Sequence, residues 1–394
     1  MRAGAPVRLI ADDLTGALDA AAPFSRRGGP IRVTWQPAPA PAGAGALDLG
    51  TRDLESAIAF ERMSRSARSW FDGSEGLAFK KVDSVWRGHP AEEITAALDA
   101  GRFGCAIVAP ALPEQGRITR RGQQAILEAG TPRIVADLVR DLAAAGLDAA
   151  PAERAGPQTR AIVCDAEDAG QLDAIVARFA GGTDRLLWCG SNGLAAALAR
   201  HHPALAGASA PRPQSPPPAL GPGRAAGPII VLVGSDHAIS SRQAARLALA
   251  PGVVSRRLDV AAGRLDGVWP AGDRIVLLTL SVPAGMSRIA AGEHARQAFG
   301  ATIARLPKPG AAIVAGGHTL RSLGEALGAT GLAVQGELRP GIPVSAWSDG
   351  AWAGTTLVSK SGSFGDTCEL VRLAGHLDRL RDNPAARSVR EENA

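Results

Sequence analysis

Short apolar, often β-branched runs alternate along the chain with longer Ala- and Leu-rich stretches at helical spacing. The apolar runs predict strands at Arg8–Ile10, Ala78–Val82, Cys105–Ala109, Ala161–Val163, Arg185–Cys189, Ile229–Val233, Arg274–Leu280 and Ala311–Val314. The periodic stretches predict helices at Ala91–Ala100, Asp168–Phe179, Ser241–Leu249, His294–Leu306 and Leu320–Leu327. This alternation predicts an α/β fold with mainly parallel sheets flanked by helices, and it directs attention to the loops that follow strands.

One segment breaks the alternation. Residues 203–228 are rich in Pro, Ala and Gly and have no periodicity, which predicts an interdomain linker. A length of 394 residues fits two domains of the usual size. We therefore expect a first domain over 1–205, a linker over 206–228 and a second domain over 229–394. A second Pro/Ala/Gly stretch, Gln36–Gly45, predicts a surface loop.

Composition narrows the function classes. The longest uncharged apolar runs have five or six residues, whereas a membrane span needs about 20, and the start carries no signal-peptide pattern. The four cysteines are widely spaced and the histidines lack a zinc spacing, so we expect free thiols, no protein-built metal site and a cytoplasmic location. The net charge of +5 is spread without basic blocks, which argues against nucleic acid as a partner.

The ratio of lysine to arginine is more informative than the net charge. Of the 43 Lys and Arg residues only four are lysines, namely Lys80, Lys81, Lys308 and Lys360. Codon drift toward Arg explains the bias, and a lysine that survives it marks a position where a planar guanidinium does not replace a compact ammonium.

The first loop of interest follows the strand at Arg8–Ile10. Asp12 and Asp13 come directly after it and precede Thr15, Gly16 and a predicted helix. Two carboxylates at this place can bind substrate hydroxyls, hold magnesium or accept a proton. A plain helix N-cap is the alternative interpretation.

The second loop, Phe79–Glu93, carries two of the four lysines. Strand alternation places Lys81 and Asp83 on one face and Lys80 on the other. Lys81 and Arg87 are suited to receive a small carboxylate, with Arg87 offering a bidentate fork and Asp83 and Ser84 nearby. The alternative is a surface ion-pair cluster beside a capped helix.

Two further loops of the first half are less specific. Val108–Gly122 contains Glu114 and Arg117 and fits a substrate lid and a rigid loop equally well. Asp48–Asp53, with Thr51 and Arg52, is by its pattern alone a surface turn.

The second half repeats a strand, a Gly-containing turn and a helix. The turns are Gly234-Ser235 and Gly316-Gly317, followed by His318 and Thr319. Such turns let backbone N–H groups approach a phosphate. Neither matches a Walker or a dinucleotide fingerprint, which argues against a dehydrogenase. Lys360, Ser361 and Gly362 form another donor-rich turn, for which a glycine hairpin with an ordinary exposed lysine is the alternative.

These segments resemble the four-carbon acid sugar kinase family over nearly the whole chain. The resemblance is carried by Ala11–Ala17 (ADDLTGA), Lys80–Gly88 (KKVDSVWRG), Pro110–Arg117 (PALPEQGR), Cys189–Ala195 (CGSNGLA), Val233–Ser235 (VGS), Gly316–Thr319 (GGHT), Arg339–Pro343 (RPGIP) and Ser359–Gly365 (SKSGSFG). It implies a sugar-binding domain, a nucleotide-binding domain and an active site in the cleft between them. It also implies ATP-dependent phosphorylation of erythronate, threonate or a 3-oxo-tetronate.

The resemblance also assigns residues. The sugar acid is expected at Asp12, Asp13, Arg52, Lys81, Asp83, Ser84 and Arg87, with Asp12 as the preferred catalytic residue. ATP with Mg²⁺ is expected at Ser235, Gly316, Gly317, His318, Thr319, Lys360 and Gly362. The oligomeric state is left open, with a homodimer as one alternative.

Two departures define the alternative function. Val85 stands where the family usually has Thr, and His318 stands where it usually has an acid. A catalytically weak or inactive sugar-acid or nucleotide-binding protein on the same fold is therefore the alternative to a kinase.

Overall fold

The computed structural model describes residues 6–72, 76–182, 185–205, 227–270, 272 and 275–382. The chain divides into two compact units, Met1–Pro213 and Gln214–Ala394. Most of the predicted linker, residues 206–226, lies outside the described residues. The exact domain limits therefore stay predictions.

The first unit contains eleven strands and six helices among its described residues. Its strands are β1 (Val7–Ala11), β2 (Ile31–Thr34), β3 (Gly45–Asp48), β4 (Leu77–Lys81), β5 (Cys105–Ala109), β6 (Arg117–Arg120), β7 (Gln123–Glu128), β8 (Thr131–Asp137), β9 (Ala149–Pro151), β10 (Ala161–Val163) and β11 (Leu186–Gly190). Its helices are α1 (Leu14–Gly28), α2 (Ser56–Trp70), α3 (Pro90–Ala100), α4 (Leu138–Ala144), α5 (Ala169–Phe179) and α6 (Asn192–His201).

Eight of these strands form one parallel sheet in the order β2-β3-β1-β4-β11-β5-β10-β9. The central strands β1 and β4 are buried on both faces, as expected for a parallel sheet covered by helices. Since all strands run the same way, the loops that follow β1, β3, β4 and β11 meet at one edge. That edge brings together segments that are far apart in sequence.

A separate antiparallel sheet, β6-β7-β8, follows the loop after β5. Its first strand begins at Arg117, just beyond a tight turn in which Gly116 has a positive φ of 66°. The Val108–Gly122 segment is thus the entrance to a small sheet, which favours the rigid-loop interpretation over a lid.

The second unit contains eight strands and four helices among its described residues. Its strands are β12 (Ile229–Val233), β13 (Val253–Asp259), β14 (Arg264–Leu265), β15 (Ile275–Ser281), β16 (Ala311–Ala315), β17 (Gly331–Arg339), β18 (Ile342–Trp347) and β19 (Thr356–Lys360). Its helices are α7 (Ala238–Ala248), α8 (Arg288–Ala301), α9 (Gly317–Ala326) and α10 (Glu369–Asp382).

Five strands of this unit run parallel in the order β13-β15-β12-β16-β19. The short β14 pairs antiparallel with β13, and β18 and β17 continue antiparallel beyond β19. The carboxyl ends of β12, β16 and β19 are neighbours, so the three Gly-containing turns of the second half lie side by side.

The mixed α/β architecture predicted from the sequence is confirmed. The predicted strands agree with β1, β4, β5, β10, β11, β12, β15 and β16 to within about one residue. The helix predicted at His294–Leu306 begins six residues too late, because Ser287 caps α8 by accepting the N–H of Ala290.

All four cysteines are described and free, with Cys164 and Cys189 buried. No helix in the described ranges has the length and apolar run needed to cross a bilayer.

Asn192 joins α6 to α1 in the interior of the first unit. Its side-chain amide donates to the carbonyl oxygen of Asp19 at 2.9 Å and to a carboxylate oxygen of Asp19 at 2.8 Å. Both residues are buried, so the amide satisfies polar atoms that water does not reach.

We expect Asn192→Ala to lower the free energy of unfolding by about 2 kcal/mol, because it leaves buried acceptors unsatisfied. Urea denaturation of the full chain measures this loss. Arg200→Ala on the same helix is the matched control, since the Arg200–Asp173 pair is partly exposed and such pairs contribute about 0–1 kcal/mol. Equal losses in the two variants would contradict the assignment.

Candidate functional site

Three loops converge at the carboxyl edge of the first sheet. β1 pairs with both β3 and β4, with Ala11 opposite Asp48 and Lys81. The backbone N–H groups of Leu49 and Thr51 donate to the carbonyl oxygens of Ala11 and Asp12 at 2.9 and 3.0 Å. These two hydrogen bonds hold the loop after β3 against the end of β1. The loop thereby places Arg52 at the carboxyl edge of the sheet.

The Arg52 guanidinium is the centre of this cluster. Its Nε and Nη2 atoms donate to the two carboxylate oxygens of Asp12 at 2.7 and 2.8 Å. Nη2 also lies 2.8 Å from Asp13 Oδ1, and Nη1 lies 3.6 Å from Asp83 Oδ2. A planar fork that meets a carboxylate edge-on is the strongest geometry for such a pair. One cation thus faces three carboxylates from two different loops.

The two adjacent acids have different local roles. Asp13 caps α1, because its carboxylate accepts the N–H of Gly16 at 3.0 Å and the hydroxyl of Thr15 at 2.6 Å. Asp12 is buried and gives both oxygens to Arg52. The N-cap interpretation therefore applies to Asp13, which also contacts Arg52, whereas Asp12 gives both of its oxygens to Arg52.

Asp83 organises the loop after β4. Its Oδ1 atom accepts the N–H groups of Val85 and Arg87 at 2.9 and 3.3 Å, and its Oδ2 atom accepts from the Arg87 guanidinium at 2.6 Å. Trp86, at a positive φ of 65°, closes the turn between them. Asp83 and Ser84 are buried, so this loop is not the surface ion-pair cluster that was the alternative.

Lys81 differs from the two arginines of the cluster. It is 4% exposed, and its Nζ atom donates to the carbonyl oxygen of Val82 at 3.0 Å. Within the described residues no carboxylate forms an ion pair with Lys81. A Cβ atom added to Gly16 would lie 3.2 Å from this Nζ, so the glycine leaves room for the ammonium. Lys81 is the buried cation of the cluster with N–H donors to spare.

The charges set the protonation states. Burial is the largest single effect and would raise the pKa of Asp12 and of Asp83, but the neighbouring cations, Arg52 first among them, together outweigh it and lower both pKa values. Burial lowers the pKa of Arg52, and its carboxylate neighbours raise it well above the usual value. At neutral pH both acids are ionised, so Asp12 is suited to orient a donor and is a weak proton acceptor.

Five supporting residues were not assigned to the site from the sequence. Gln124 donates to the carbonyl oxygen of Ser84 at 2.7 Å and is itself held by the Thr119 hydroxyl at 2.6 Å. Lys80 Nζ lies 2.7 Å from Glu93 Oε2, and the Thr51 hydroxyl donates to the other carboxylate oxygen of Glu93. The expectation that Thr51 and Arg52 form a surface turn was wrong, because β3 is a core strand and Thr51 is completely buried.

The second unit has its own cluster, which we call the three-turn edge. It comprises the turns Gly234-Ser235, Gly316-Gly317 and Ser361-Gly362 after β12, β16 and β19. The N–H of Gly316 donates to the carbonyl oxygen of Lys360 at 3.1 Å, which joins two of these turns. Gly316 has a positive φ of 114°, and it offers no side chain to cap α9. An uncapped helix start beside glycine turns is a setting for anion binding.

Close approach explains the glycines at the three-turn edge. A Cβ atom on Gly362 would lie 2.0 Å from Ser235 Oγ, and one on Gly234 would lie 2.2 Å from Thr319 Oγ1. The Ser240 hydroxyl holds the carbonyl oxygen of Gly362 at 2.6 Å. Ser235, Thr319 and Gly362 are therefore brought together as expected. His318 is exposed in the first turn of α9.

Lys360 is the most unusual cation of this unit. It is 1% exposed, and its Nζ atom donates to the carbonyl oxygen of Ser361 at 2.9 Å. No carboxylate pairs with it in the described part of the chain. Burial lowers its pKa to about 8. The glycine hairpin with an exposed lysine is excluded, and this ammonium lacks a counter-ion at the edge where phosphate was expected.

The available side-chain donors limit how Mg²⁺ can be bound. Across the described residues, no group of three or more His, Cys, Asp or Glu side chains is placed to hold a metal. Magnesium in phosphoryl-transfer sites commonly keeps several waters and binds phosphate oxygens with one or two carboxylates. Asp12 and Asp83 already give their oxygens to Arg52, Arg87 and backbone N–H groups, so a bound magnesium would rely mainly on phosphate oxygens and water.

Comparison with known proteins identifies both halves of the chain. Models of a sugar-binding N-terminal domain and a nucleotide-binding C-terminal domain match residues 7–137 and 272–370. D-threonate kinase of Cupriavidus necator is 35% identical over 417 residues, covering 92% of this chain and 95% of the relative. D-threonate kinase of Bordetella bronchiseptica is 30% identical over 414 residues, covering 94% and 97%. A solved protein of Salmonella typhimurium shares the fold, with a TM-score of 0.67, 22% identity and coverage of 93% and 98%.

We expect Arg52→Met to make the protein more sensitive to acid. The lowered pKa values of Asp12 and Asp83 contribute stability that is present above the unfolded value of 3.8 and is lost as pH falls through the folded values. Without Arg52, only the remaining cations oppose the effect of burial, so both pKa values should rise and unfolding by acid should begin about one pH unit higher. Circular dichroism during acid titration measures the midpoint.

Arg65→Met is the matched control, because Arg65 pairs with Glu61 on the exposed face of α2. Its acid midpoint should equal that of the wild type. An unshifted midpoint in Arg52→Met would contradict the electrostatic description of the cluster.

Proposed function

The chain belongs to the four-carbon acid sugar kinase family, and from this premise we propose that it transfers the γ-phosphate of ATP to a hydroxyl of D-threonate. That it is a sugar acid kinase follows from its kinase relatives. D-threonate is proposed because it is named in both relatives and because the first-unit cluster is suited to a small hydroxy acid. D-erythronate and 3-oxo-tetronates are the alternative substrates.

The observation that carries the proposal is the Lys81 ammonium, which is buried in the cluster and has no carboxylate within ion-pair distance among the described residues. Arg52 and Arg87 are already engaged by Asp12 and Asp83, whereas Lys81 has no carboxylate partner in the described residues. The carboxylate of a sugar acid is proposed to accept the free N–H donors of this ammonium. The hydroxyls of the acid then meet Asp12, Asp83 and Ser84, whose oxygens accept hydrogen bonds.

The nucleotide is proposed to bind at the three-turn edge. Ser235, Gly316, Gly317, Thr319 and Gly362 lie together at this edge, where the start of α9 also lies. Lys360 provides a buried ammonium for a phosphate oxygen. ATP with Mg²⁺, when bound, supplies the transferable phosphoryl group and part of the charge neutralisation. His318, exposed in the first turn of α9, is proposed to contact the outer part of the nucleotide.

Catalysis is proposed to be mainly positioning. Phosphoryl transfer passes through a loose transition state, so a strong base is not required. Asp12 is rigidly held by Arg52 and stays ionised, and its role is to accept a hydrogen bond from the substrate hydroxyl and orient it toward the phosphate. Arg52 and Arg87 keep the acids of the cluster in place. Asp12 therefore remains the proposed catalytic residue, as an orienting group.

A coupled assay for ADP formation with Mg·ATP and a panel of D-threonate, D-erythronate and 3-oxo-tetronates tests the proposal. We expect turnover with D-threonate, and a fall of at least 100-fold in kcat for Asp12→Asn, typical of the loss of a group that acts on the reacting atoms. Asp99→Asn, at an exposed pair with Arg160, is the control and should keep wild-type turnover. Binding of acid and nucleotide without turnover would favour the inactive-protein alternative raised by Val85 and His318.

We expect Lys360→Met to weaken ATP binding by about tenfold while stabilising the ligand-free protein. The loss follows from removing a charged hydrogen-bond donor, and the gain follows from removing a buried charge without a counter-ion. Since the lysine pKa is about 8, wild-type affinity for ATP should fall as pH rises through 8. The variant should lack this step.

Calorimetric titration between pH 6.5 and 9.5 and thermal unfolding measure the two effects. Lys308→Met is the matched control, because Lys308 is exposed and donates to the carbonyl oxygen of Ala353. Unchanged ATP affinity in Lys360→Met would remove Lys360 from the nucleotide site.

A further inference from the structure

A fully buried network lies beneath the acid-binding cluster. Lys80, Glu93 and Thr51 are exposed by 0%, 1% and 0%, and we call them the Lys80–Glu93–Thr51 network. Lys80 Nζ lies 2.7 Å from Glu93 Oε2 and also donates to the carbonyl oxygen of Lys81 at 2.7 Å. The Thr51 hydroxyl donates to Glu93 Oε1. Each member is thus held by another.

The network joins three elements that are separate in sequence. Lys80 comes from β4, Glu93 from the first turn of α3, and Thr51 from the loop after β3. A buried ion pair is weak evidence for stability, because desolvation offsets the attraction and an apolar pair of the same volume often does as well. The better-attested use of such a pair is to specify one arrangement of the chain. The question is which arrangement this pair specifies.

The loop after β3 is the segment that needs such a constraint. Gly50, with a positive φ of 60°, precedes Thr51 and gives the loop conformational freedom. The N–H groups of Thr51 and Arg52 both donate to the carbonyl oxygen of Asp12, at 3.0 and 3.3 Å. These two bonds fix the backbone of the loop to the end of β1. The Thr51 side chain, held on Glu93, adds a second anchor on α3.

The next residue in the chain is Arg52, whose fork meets the Asp12 carboxylate. The two hydrogen bonds from the Arg52 guanidinium to the Asp12 carboxylate require both groups to lie in one plane. A small displacement of Arg52 therefore weakens both bonds. The network also acts on Asp12 through charge, because Lys80 favours ionisation of that carboxylate. Its geometric influence acts separately, through Thr51 on the position of Arg52.

We propose that the Lys80–Glu93–Thr51 network is a positioning device for Arg52, and that it sets the affinity of the first unit for the sugar acid. None of its three members touches the proposed substrate position, so they are positioning residues. The inference rests on the proposed function for its kinetic part and on the Arg52–Asp12 contact for its structural part.

Thr51→Val tests it with the smallest change, because valine keeps the shape and the backbone N–H and removes only the hydroxyl. We expect the KM for D-threonate to rise about tenfold, the effect of losing one buried hydrogen bond, with the KM for ATP unchanged. Thr51→Ser restores the hydroxyl and should restore the acid KM. Glu93→Gln should raise the acid KM in the same direction, since it removes the charge that binds Lys80.

Matched controls lie on α3 itself. Thr95→Val removes a hydroxyl that donates to the carbonyl oxygens of Ala91 and Ala145, and Glu92→Gln neutralises the acid next to Glu93. Neither residue belongs to the network, so both variants should keep the wild-type acid KM. A tenfold rise in either control, or a wild-type acid KM in Thr51→Val, would overturn the proposal.

A readout without turnover separates this proposal from the proposed function. Exchange of the Arg52 Nε–H proton, followed by NMR and assigned with Arg52→Lys, reports the Asp12 contact directly. We expect exchange to be at least about tenfold faster in Thr51→Val than in the wild type, Thr51→Ser or Thr95→Val. Faster exchange in a protein that does not phosphorylate any tetronate would reject the kinase assignment and retain the positioning role. Unchanged exchange would reject the positioning role whatever the substrate.

Discussion

The contact between the Arg52 guanidinium and the carboxylates of Asp12, Asp13 and Asp83 is the constraint on which the first-unit site depends. It joins the ends of two strands and the loop after a third, and it keeps both buried acids, Asp12 and Asp83, ionised. Without it, burial would favour protonation and the loops would lose their common anchor. The ionised state of Asp12, and so its proposed use in orienting a hydroxyl, is a property of this contact rather than of the aspartate alone.

The role of each buried lysine depends on whether a carboxylate pairs with its ammonium group. Lys80 is paired with Glu93 and is therefore suited to hold structure. Lys81 and Lys360 have no carboxylate partner in the described residues, and each lies at a carboxyl edge where an anion is expected. For Lys360, a buried charge without a counter-ion in the described residues lowers stability until an anion binds, so ligand binding is coupled to stability and to pH. The fourth lysine, Lys308, is exposed.

Much of the fold and part of the site could be predicted from local pattern. The parallel α/β units follow from strand–helix alternation, and Asp12, Lys81 and Lys360 follow from their places directly after or at the ends of strands. The antiparallel sheet β6-β7-β8 could not be predicted in this way, because its strands lack a periodic apolar face. The burial of Thr51 was not predicted for a related reason. It depends on β3 being a core strand, and a strand of four residues leaves little periodic signal.

The sequence by itself determined the α/β class, the position of chemistry in the loops after strands, and the few lysines kept in an arginine-rich chain. Only the tertiary structure decided that Asp13 caps α1, that Asp12 gives both oxygens to Arg52, and which lysine has a partner. The physical reason is that propensity and periodicity act over a few residues, whereas charge pairing depends on which loops the sheet order brings to one edge. Glu93 and Thr51 are 42 residues apart in sequence and share one hydrogen bond.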